Sequence, residues 1–191
     1  MIESIAAGRS TRGQLVVTHD DGYLDNFENA MPVLEDVGIP ATFFISAGLM
    51  GTDVVPFWDR DVEADLGWMS WDQVREMHAR GFTIGAHTST HVDLGRVDGE
   101  EARRELVESR RQLERELGVQ VDLFAYPFGG ADNINQANRA HVRDAGYRCC
   151  LSCHGGLPRE GADVFDLPRV PISSWYEDPD QLALALATRR A

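Results

Sequence analysis

Short apolar segments with the character of β-strands alternate along this chain with longer segments of helical periodicity. The strand-like segments are residues 15–18, 41–45, 82–86, 121–125, 147–151 and 165–172. The helical segments are residues 24–37, 70–80, 98–117 and 136–145, with a last helix after Asp178 and Pro179. Parallel strands need long connections, which are usually helical. The alternation therefore predicts an α/β fold in which parallel strands and crossover helices form an open sheet or a barrel.

Two of the predicted helices carry clear start and stop signals. Ser70 and Gln73 have the spacing of a capping box, and Gly81 stops the helix that they begin. Asp98 and Glu101 have the spacing of a second capping box, which begins the long amphipathic helix that ends at Gly118. We expect the charged face of this long helix to be solvated.

The length of 191 residues suits one domain and is short for a barrel of eight β/α units, so we expect a single domain over residues 1–191. The content of 43% hydrophobic and 26% charged residues is typical of a soluble globular protein rather than a disordered or membrane chain. No apolar run is long enough to span a membrane, and the start Met1–Ser4 lacks the features of a secretory signal. As written, the chain is expected in the cytoplasm; a longer natural chain would allow an extracellular or cell-envelope role.

The net charge of −13 comes from 31 acidic and 18 basic side chains. Such a surface repels polyanions, which excludes nucleic acid as a partner and favours a neutral or cationic ligand. The sequence makes no prediction of the oligomeric state. Cys149, Cys150 and Cys153 lie in one segment without a second Cys or His pair at zinc spacing, which favours buried strand cysteines over a thiolate metal site.

Polar residues follow directly after three of the predicted strands. These clusters are Thr18–Gly22, His87–His91 and Tyr126–Gly129. The carboxyl ends of parallel strands are where active sites assemble in α/β barrels and open sheets. We therefore expect the three clusters to form one site.

His87 and His91 are separated by Thr88, Ser89 and Thr90, which are poor helix formers. A loop of this kind allows two imidazoles to turn toward one metal ion. The alternative is that each histidine only hydrogen-bonds a nearby carbonyl.

Asp20 and Asp21 are adjacent carboxylates at the end of a buried strand. They repel each other unless a cation lies between them or one takes up a proton. Neighbouring side chains on an extended chain diverge, so one aspartate can bind a metal while the other acts as a base. The alternative is that one of them caps the helix that begins near Leu24.

Taken together and in this order, the clusters resemble the NodB-homology polysaccharide deacetylases, carbohydrate esterase family 4. The resemblance runs from Leu15 to Ile172 and is nearest to the branch of poly-N-acetylglucosamine deacetylases. It implies a distorted, incomplete (β/α) barrel. It also implies that Asp20 is the catalytic base and that Asp21, His87 and His91 bind a divalent metal, usually zinc.

The activity that the resemblance implies is removal of N-acetyl groups from acetamido sugars in an oligo- or polysaccharide. A metal-activated water would attack the acetamide, and Asp20 would take its proton. Residues Tyr126, Pro127, Phe128 and Gly129 correspond to the family's oxyanion and substrate-binding segment, with a backbone N–H near Phe128 holding the oxyanion.

The chain departs from the family pattern at two catalytic positions. Ala125 stands where many members have an arginine that pairs with the base, and Arg169 is predicted to supply that charge instead. No Leu-x-His motif provides the general acid near the C-terminus, and His154 is the nearest candidate along the chain.

Several aromatic side chains could present a face to a sugar ring, although the alternative for each is a place in the core. They are Trp58, Trp68, Trp71, Tyr126, Phe128 and Trp175. Two other functions stay open: hydrolysis of a different linear amide or formamide on the same scaffold, and silent carbohydrate binding. A binding module, however, has no need for Asp20.

Overall fold

The computed structural model describes residues 4–5, 7–9, 13–61, 66–154, 156–158, 161–172, 176 and 178–188. Within these residues, five parallel strands form one sheet. The strands are β1 (Val17–His19), β2 (Ala41–Ile45), β3 (Thr83–Ala86), β4 (Leu123–Ala125) and β5 (Cys149–Leu151). Each strand pairs with the next one along the chain.

The strand order decides between the two predicted architectures. A doubly wound open sheet reverses its order at a switch point, with helices on both faces. Here the order runs from β1 to β5 without reversal. Because parallel crossovers are right-handed, such a sheet collects its helices on one side and curls, as in a barrel. The sheet is a curled half-barrel, which confirms the predicted distorted, incomplete (β/α) barrel.

Helices follow the strands in the predicted alternation. They are α1 (Met31–Asp36), α2 (Trp71–Ala79), α3 (Gly99–Leu117), α4 (Gln136–Asp144) and α5 (Pro179–Thr188). A π-helical turn, Asn26–Ala30, precedes α1. The capping box predicted at Ser70 is present at the start of α2. At the start of α3, Asp98 accepts hydrogen bonds from the N–H groups of Glu100 and Glu101, but no return bond to the Glu101 side chain occurs among the described residues, so the second predicted capping box forms only in part. None of the described helices is both long and apolar enough to cross a membrane.

The core lies between the sheet and its helices. Fully buried members include Phe43 of β2, Phe124 of β4, Met77 of α2 and both Leu106 and Leu113 of α3. Burying one such side chain contributes about 1.5–3 kcal/mol. This packing makes the strands a rigid support for the loops at their carboxyl ends.

The first and last predicted strands differ from the structure. Leu15 is 75% exposed and the first strand begins only at Val17, since β1 is an edge strand of the described sheet. The predicted strand 165–172 is wrong: Leu167 forms one isolated parallel bridge with Leu151, and residues 168–172 are irregular. Pro168 and Pro171 lack the N–H groups that a continuing ladder needs.

Candidate active site

The three predicted clusters lie at the carboxyl edge of the sheet, directly after β1, β3 and β4. Asp21 has a φ of 74° and Gly22 a φ of 95°, so the chain turns sharply where β1 ends. The φ of Gly22 is one that residues with a side chain rarely adopt, so this turn favours glycine. The two aspartates have different partners: Asp20 contacts Arg169, and Asp21 contacts two imidazoles. Among the described residues, neither aspartate side chain accepts a hydrogen bond from the N–H groups of the following helix, so neither caps it.

Asp21, His87 and His91 form a compact group of possible metal ligands. The Nε2 atoms of His87 and His91 each lie 3.1 Å from Oδ1 of Asp21. One ligand atom from each residue lies within 4.8 Å of the other two. Both histidines are buried, whereas Asp21 is half-buried. The arrangement brings one carboxylate and two imidazoles to a single point.

The hydrogen bonding of His87 defines which of its nitrogens faces that point. Nδ1 donates to the carbonyl oxygen of Ala125 at 2.8 Å, so in the neutral ring Nε2 carries a lone pair. That lone pair faces Asp21 Oδ1, a buried atom without a hydrogen-bond partner among the described residues. The alternative, that each histidine only hydrogen-bonds a nearby carbonyl, therefore accounts for Nδ1 of His87 but not for its Nε2.

Protonation of His87 at Nε2 would turn its contact with Asp21 into an ion pair, and the pKa values of both groups reflect that pairing. Burial alone would raise the pKa of Asp21, but the two imidazoles hold it well below its ordinary value. Burial alone would lower the pKa of His87, but Asp21 raises it above its ordinary value. One carboxylate oxygen that accepts no hydrogen bond from the described residues and two imidazole nitrogens form a ligand set that fits a divalent cation such as zinc.

Arg169 reaches the other aspartate from the irregular segment after Leu167. Its Nη1 and Nη2 donate to the two carboxylate oxygens of Asp20, both at 2.7 Å. Further hydrogen bonds run from Arg169 to Ser152 O (3.1 Å), Thr18 Oγ1 (2.9 Å) and Cys153 Sγ (3.0 Å). Burial alone would lower the pKa of Arg169, but Asp20 raises it. The structure thus brings a positive charge to Asp20, although β4 carries Ala125 instead of arginine.

The segment Tyr126–Gly129 divides between the core and the site. Tyr126 is 1% exposed, and its hydroxyl donates to Phe165 O at 3.0 Å, so its side chain belongs to the core. Phe128 is 46% exposed and its ring centroid lies 4.8 Å from that of His91. Its φ of 63° is left-handed, and its N–H forms no hydrogen bond to another described residue. Gly129 follows at a φ of 58°, where a Cβ would meet Cys153 N at 2.7 Å.

The other predicted aromatic residues also separate into two groups. Trp58 lies beside the site, with ring centroids 4.5 Å from His91 and 5.8 Å from Phe128. Trp68 is buried and stacks on Tyr23, and the half-buried Trp71 packs against the core. Trp175 lies outside the described residues.

His154 is not brought to the aspartates. Its Nε2 lies 3.4 Å from Asp166 Oδ1, and no contact with Asp20 or Asp21 occurs among the described residues. Its assignment as general acid stays a prediction from chain order.

Sequence reasoning missed one residue that supports this site. Glu105 of α3 is 6% exposed and accepts hydrogen bonds from the loop between His87 and His91. The expectation of a solvated charged face on α3 is therefore wrong for this residue. A signal was available, because Glu105 lies at helical spacing between Ala102 and Ser109 on the buried stripe of the helix.

Comparisons with known proteins agree with this architecture. A sequence profile described as polysaccharide deacetylase matches residues 7–150. The Bacillus subtilis protein YxkH, named as a candidate polysaccharide deacetylase, is 24% identical over 159 residues, which are 83% of this chain and 51% of that protein. This chain therefore spans about half the length of that relative.

Two solved structures have the same fold. The Streptococcus pyogenes deacetylase PplD in complex with acetate superposes with a TM-score of 0.81 at 20% identity, over 97% of this chain and 76% of that one. IcaB from Ammonifex degensii gives a TM-score of 0.74 at 26% identity, over 96% and 76%. With the profile covering most of its length and the fold in agreement, this chain belongs to the polysaccharide deacetylase family.

Proposed function

We propose that this chain is a metal-dependent hydrolase that removes N-acetyl groups from acetamido sugars within an oligo- or polysaccharide. The observation that carries the proposal is the arrangement of two imidazole Nε2 atoms on one oxygen of Asp21, next to an Asp20 that is held by Arg169. Deacetylation of acetylated sugars is the activity of the family to which the chain belongs. The metal, the N-acetyl group and the residue roles are our inference for this chain.

Asp21, His87 and His91 are the residues that would hold the cation. Their fit rests on the buried Oδ1 of Asp21, which accepts no hydrogen bond from the described residues, and on the lone pair that the His87 tautomer directs toward it. When bound, a divalent cation such as Zn²⁺ would lower the pKa of a coordinated water and polarise an amide carbonyl. The carbonyl of Ala125 would keep His87 in the required tautomer and orientation.

Asp20 is the base in this proposal. It neighbours a ligand in the chain but makes no contact with His87 or His91 among the described residues, so its carboxylate stays available to accept a proton from water. The two parallel hydrogen bonds from Arg169 fix the plane of the carboxylate. The guanidinium also offsets the repulsion between Asp20 and Asp21.

Phe128 has two proposed roles. Its N–H, which has no partner among the described residues, would donate to the oxyanion formed from the acetyl carbonyl. Its exposed ring would form, with Trp58, an aromatic wall beside His91 against which a sugar ring can pack. The leaving amine still needs a proton donor, for which His154 is the candidate from the sequence.

The substrate would be a neutral or cationic glycan, because the net charge of −13 disfavours polyanions. The deciding experiment is metal analysis of the purified protein together with acetate release from N-acetylglucosamine oligomers before and after chelation. Near-stoichiometric metal with chelator-sensitive acetate release is the expected result. Metal without acetate release would point to another amide substrate. Absence of both would favour a silent binding module and overturn the proposal.

A further inference from the structure

The loop that joins His87 to His91 has an unusual backbone. Thr88 has a φ of 61° and His91 a φ of 59°, a left-handed conformation that is rare for residues with a side chain. It is especially rare for a β-branched residue such as Thr88. The surrounding structure must therefore determine this conformation, and two separate sets of hydrogen bonds hold the loop.

The first set of hydrogen bonds comes from the short turn after β2. Ser46 Oγ donates to His87 O at 3.1 Å, Ala47 N–H donates to Thr88 O at 3.3 Å, and Gly48 N–H donates to Ser89 O at 2.7 Å. A Cβ on Gly48 would meet Ser89 Oγ at 2.7 Å. In this first set the carbonyl groups of the loop accept hydrogen bonds, so the N–H groups of the loop need acceptors elsewhere.

The second set of hydrogen bonds is accepted by Glu105 of α3. Its Oε2 accepts from Ser89 N–H at 2.9 Å and from Thr90 N–H at 2.8 Å, while Oε1 accepts from Thr90 Oγ1 at 2.9 Å. In the part of the chain that the structure describes, Glu105 forms no ion pair, and the loop supplies all of its hydrogen bonds. A buried carboxylate is costly unless it is compensated, so the loop and Glu105 stabilise each other.

We infer that Glu105 is a positioning residue for metal binding, which fixes the loop so that His91 Nε2 meets His87 and Asp21. The inference rests on the proposed function, because it presupposes that these three residues bind a metal. Among the described residues, Glu105 forms no hydrogen bond or ion pair with the three ligand side chains, and its effect passes through the backbone of Ser89 and Thr90. Such indirect support commonly changes metal affinity by about 10- to 100-fold.

The test measures the dissociation constant of Zn²⁺ by competition with a chromophoric chelator, and the visible spectrum of the Co²⁺-substituted protein. Glu105→Ala should weaken Zn²⁺ binding by about 10- to 100-fold and alter the Co²⁺ spectrum. Glu105→Gln keeps an acceptor oxygen and should recover part of the affinity. Glu108→Ala is the matched control, since Glu108 is an exposed acid on the same helix. It should leave both readouts unchanged.

A second variant covers the case in which Glu105→Ala does not fold. Thr90→Val removes only the hydroxyl hydrogen bond and should weaken Zn²⁺ binding by about fivefold, the effect of one hydrogen bond. Wild-type affinity and spectrum in Glu105→Ala, or in Thr90→Val if the first variant is unfolded, would overturn the role of Glu105 alone. A wild-type protein that binds neither Zn²⁺ nor Co²⁺ would overturn the proposed function and this inference with it.

Discussion

The two halves of the candidate site are built in different ways. The half with Asp21, His87 and His91 follows β1 and β3, which lie on either side of β2, and it is braced by the turn after β2 and by Glu105. The half with Asp20 depends on one side chain, that of Arg169. This residue lies in an irregular segment, and its guanidinium group hydrogen-bonds both Ser152 O and Thr18 Oγ1. Metal ligands need several atoms at fixed mutual distances, whereas an ion pair needs one charge at one place. A positive charge for an ion pair can come from many positions in a chain, and here Arg169 supplies it instead of a residue of β4.

The largest effect should follow from breaking the metal half. His87→Ala removes one proposed ligand and one of the two imidazoles beside the half-buried Asp21, so the protein should lose both its metal and its activity. Turnover should fall by at least about a thousandfold. Metal content and acetate release are measured on the same sample. Full metal occupancy in this variant would remove His87 from the site.

Breaking the other half should separate the two functions. Asp20→Asn keeps the shape of the side chain but removes the proton acceptor, so turnover should fall by about 10²- to 10⁴-fold while the metal stays bound. Steady-state kinetics and metal analysis check this. Unchanged turnover would exclude Asp20 as the base, and joint loss of metal would show that the halves are not independent.

Arg169→Lys is expected to have an intermediate effect. Lysine keeps the positive charge but cannot form the two parallel hydrogen bonds to Asp20, so kcat should fall by about 10- to 100-fold with little change in metal content. Arg148→Lys is a matched control because Arg148 is an exposed arginine that pairs with Asp122. Equal kcat in both variants would mean that charge alone suffices at Asp20.

The smallest effect should come from the aromatic wall, in which the rings of Trp58 and Phe128 both contact His91. Trp58→Ala should raise KM by roughly two- to tenfold, corresponding to the ~0.5–1.5 kcal/mol of a ring contact, with kcat nearly unchanged. Trp58→Phe keeps a ring while losing the hydrogen bond to Tyr23, and should retain most of the affinity. A fall in kcat rather than a rise in KM would indicate that Trp58 orients His91 instead of contacting sugar.

The sequence was most informative where chemistry depends on residues adjacent in the chain. The pair Asp20–Asp21 and the His87–His91 loop each follow a predicted strand, so the fold rules alone bring them to one edge of the sheet. The parallel order and the capping box at Ser70 likewise depend on local patterns. These features could be predicted because neighbouring residues determine them.

Features that depend on distant residues could not be predicted in the same way. The pairing of Arg169 with Asp20 was suggested by the family resemblance, but its bidentate geometry required the structure. Glu105 looked like one more charge on a solvated helix face, and only the position of the loop explains its burial. Tyr126 illustrates the converse: a residue in a site motif whose side chain packs in the core.

The order of the strands also sets an order of events during synthesis. Because every strand pairs with the next one along the chain, the sheet can form progressively as the ribosome extends it from β1 to β5. The proposed metal ligands are all present once residue 91 has emerged, and their brace once residue 105 has emerged. Asp20, although it is made before them, finds its partner only when residue 169 arrives. A growing chain would thus acquire its proposed ligand set early and its oriented base late, so that catalysis would wait for the segment that carries Arg169.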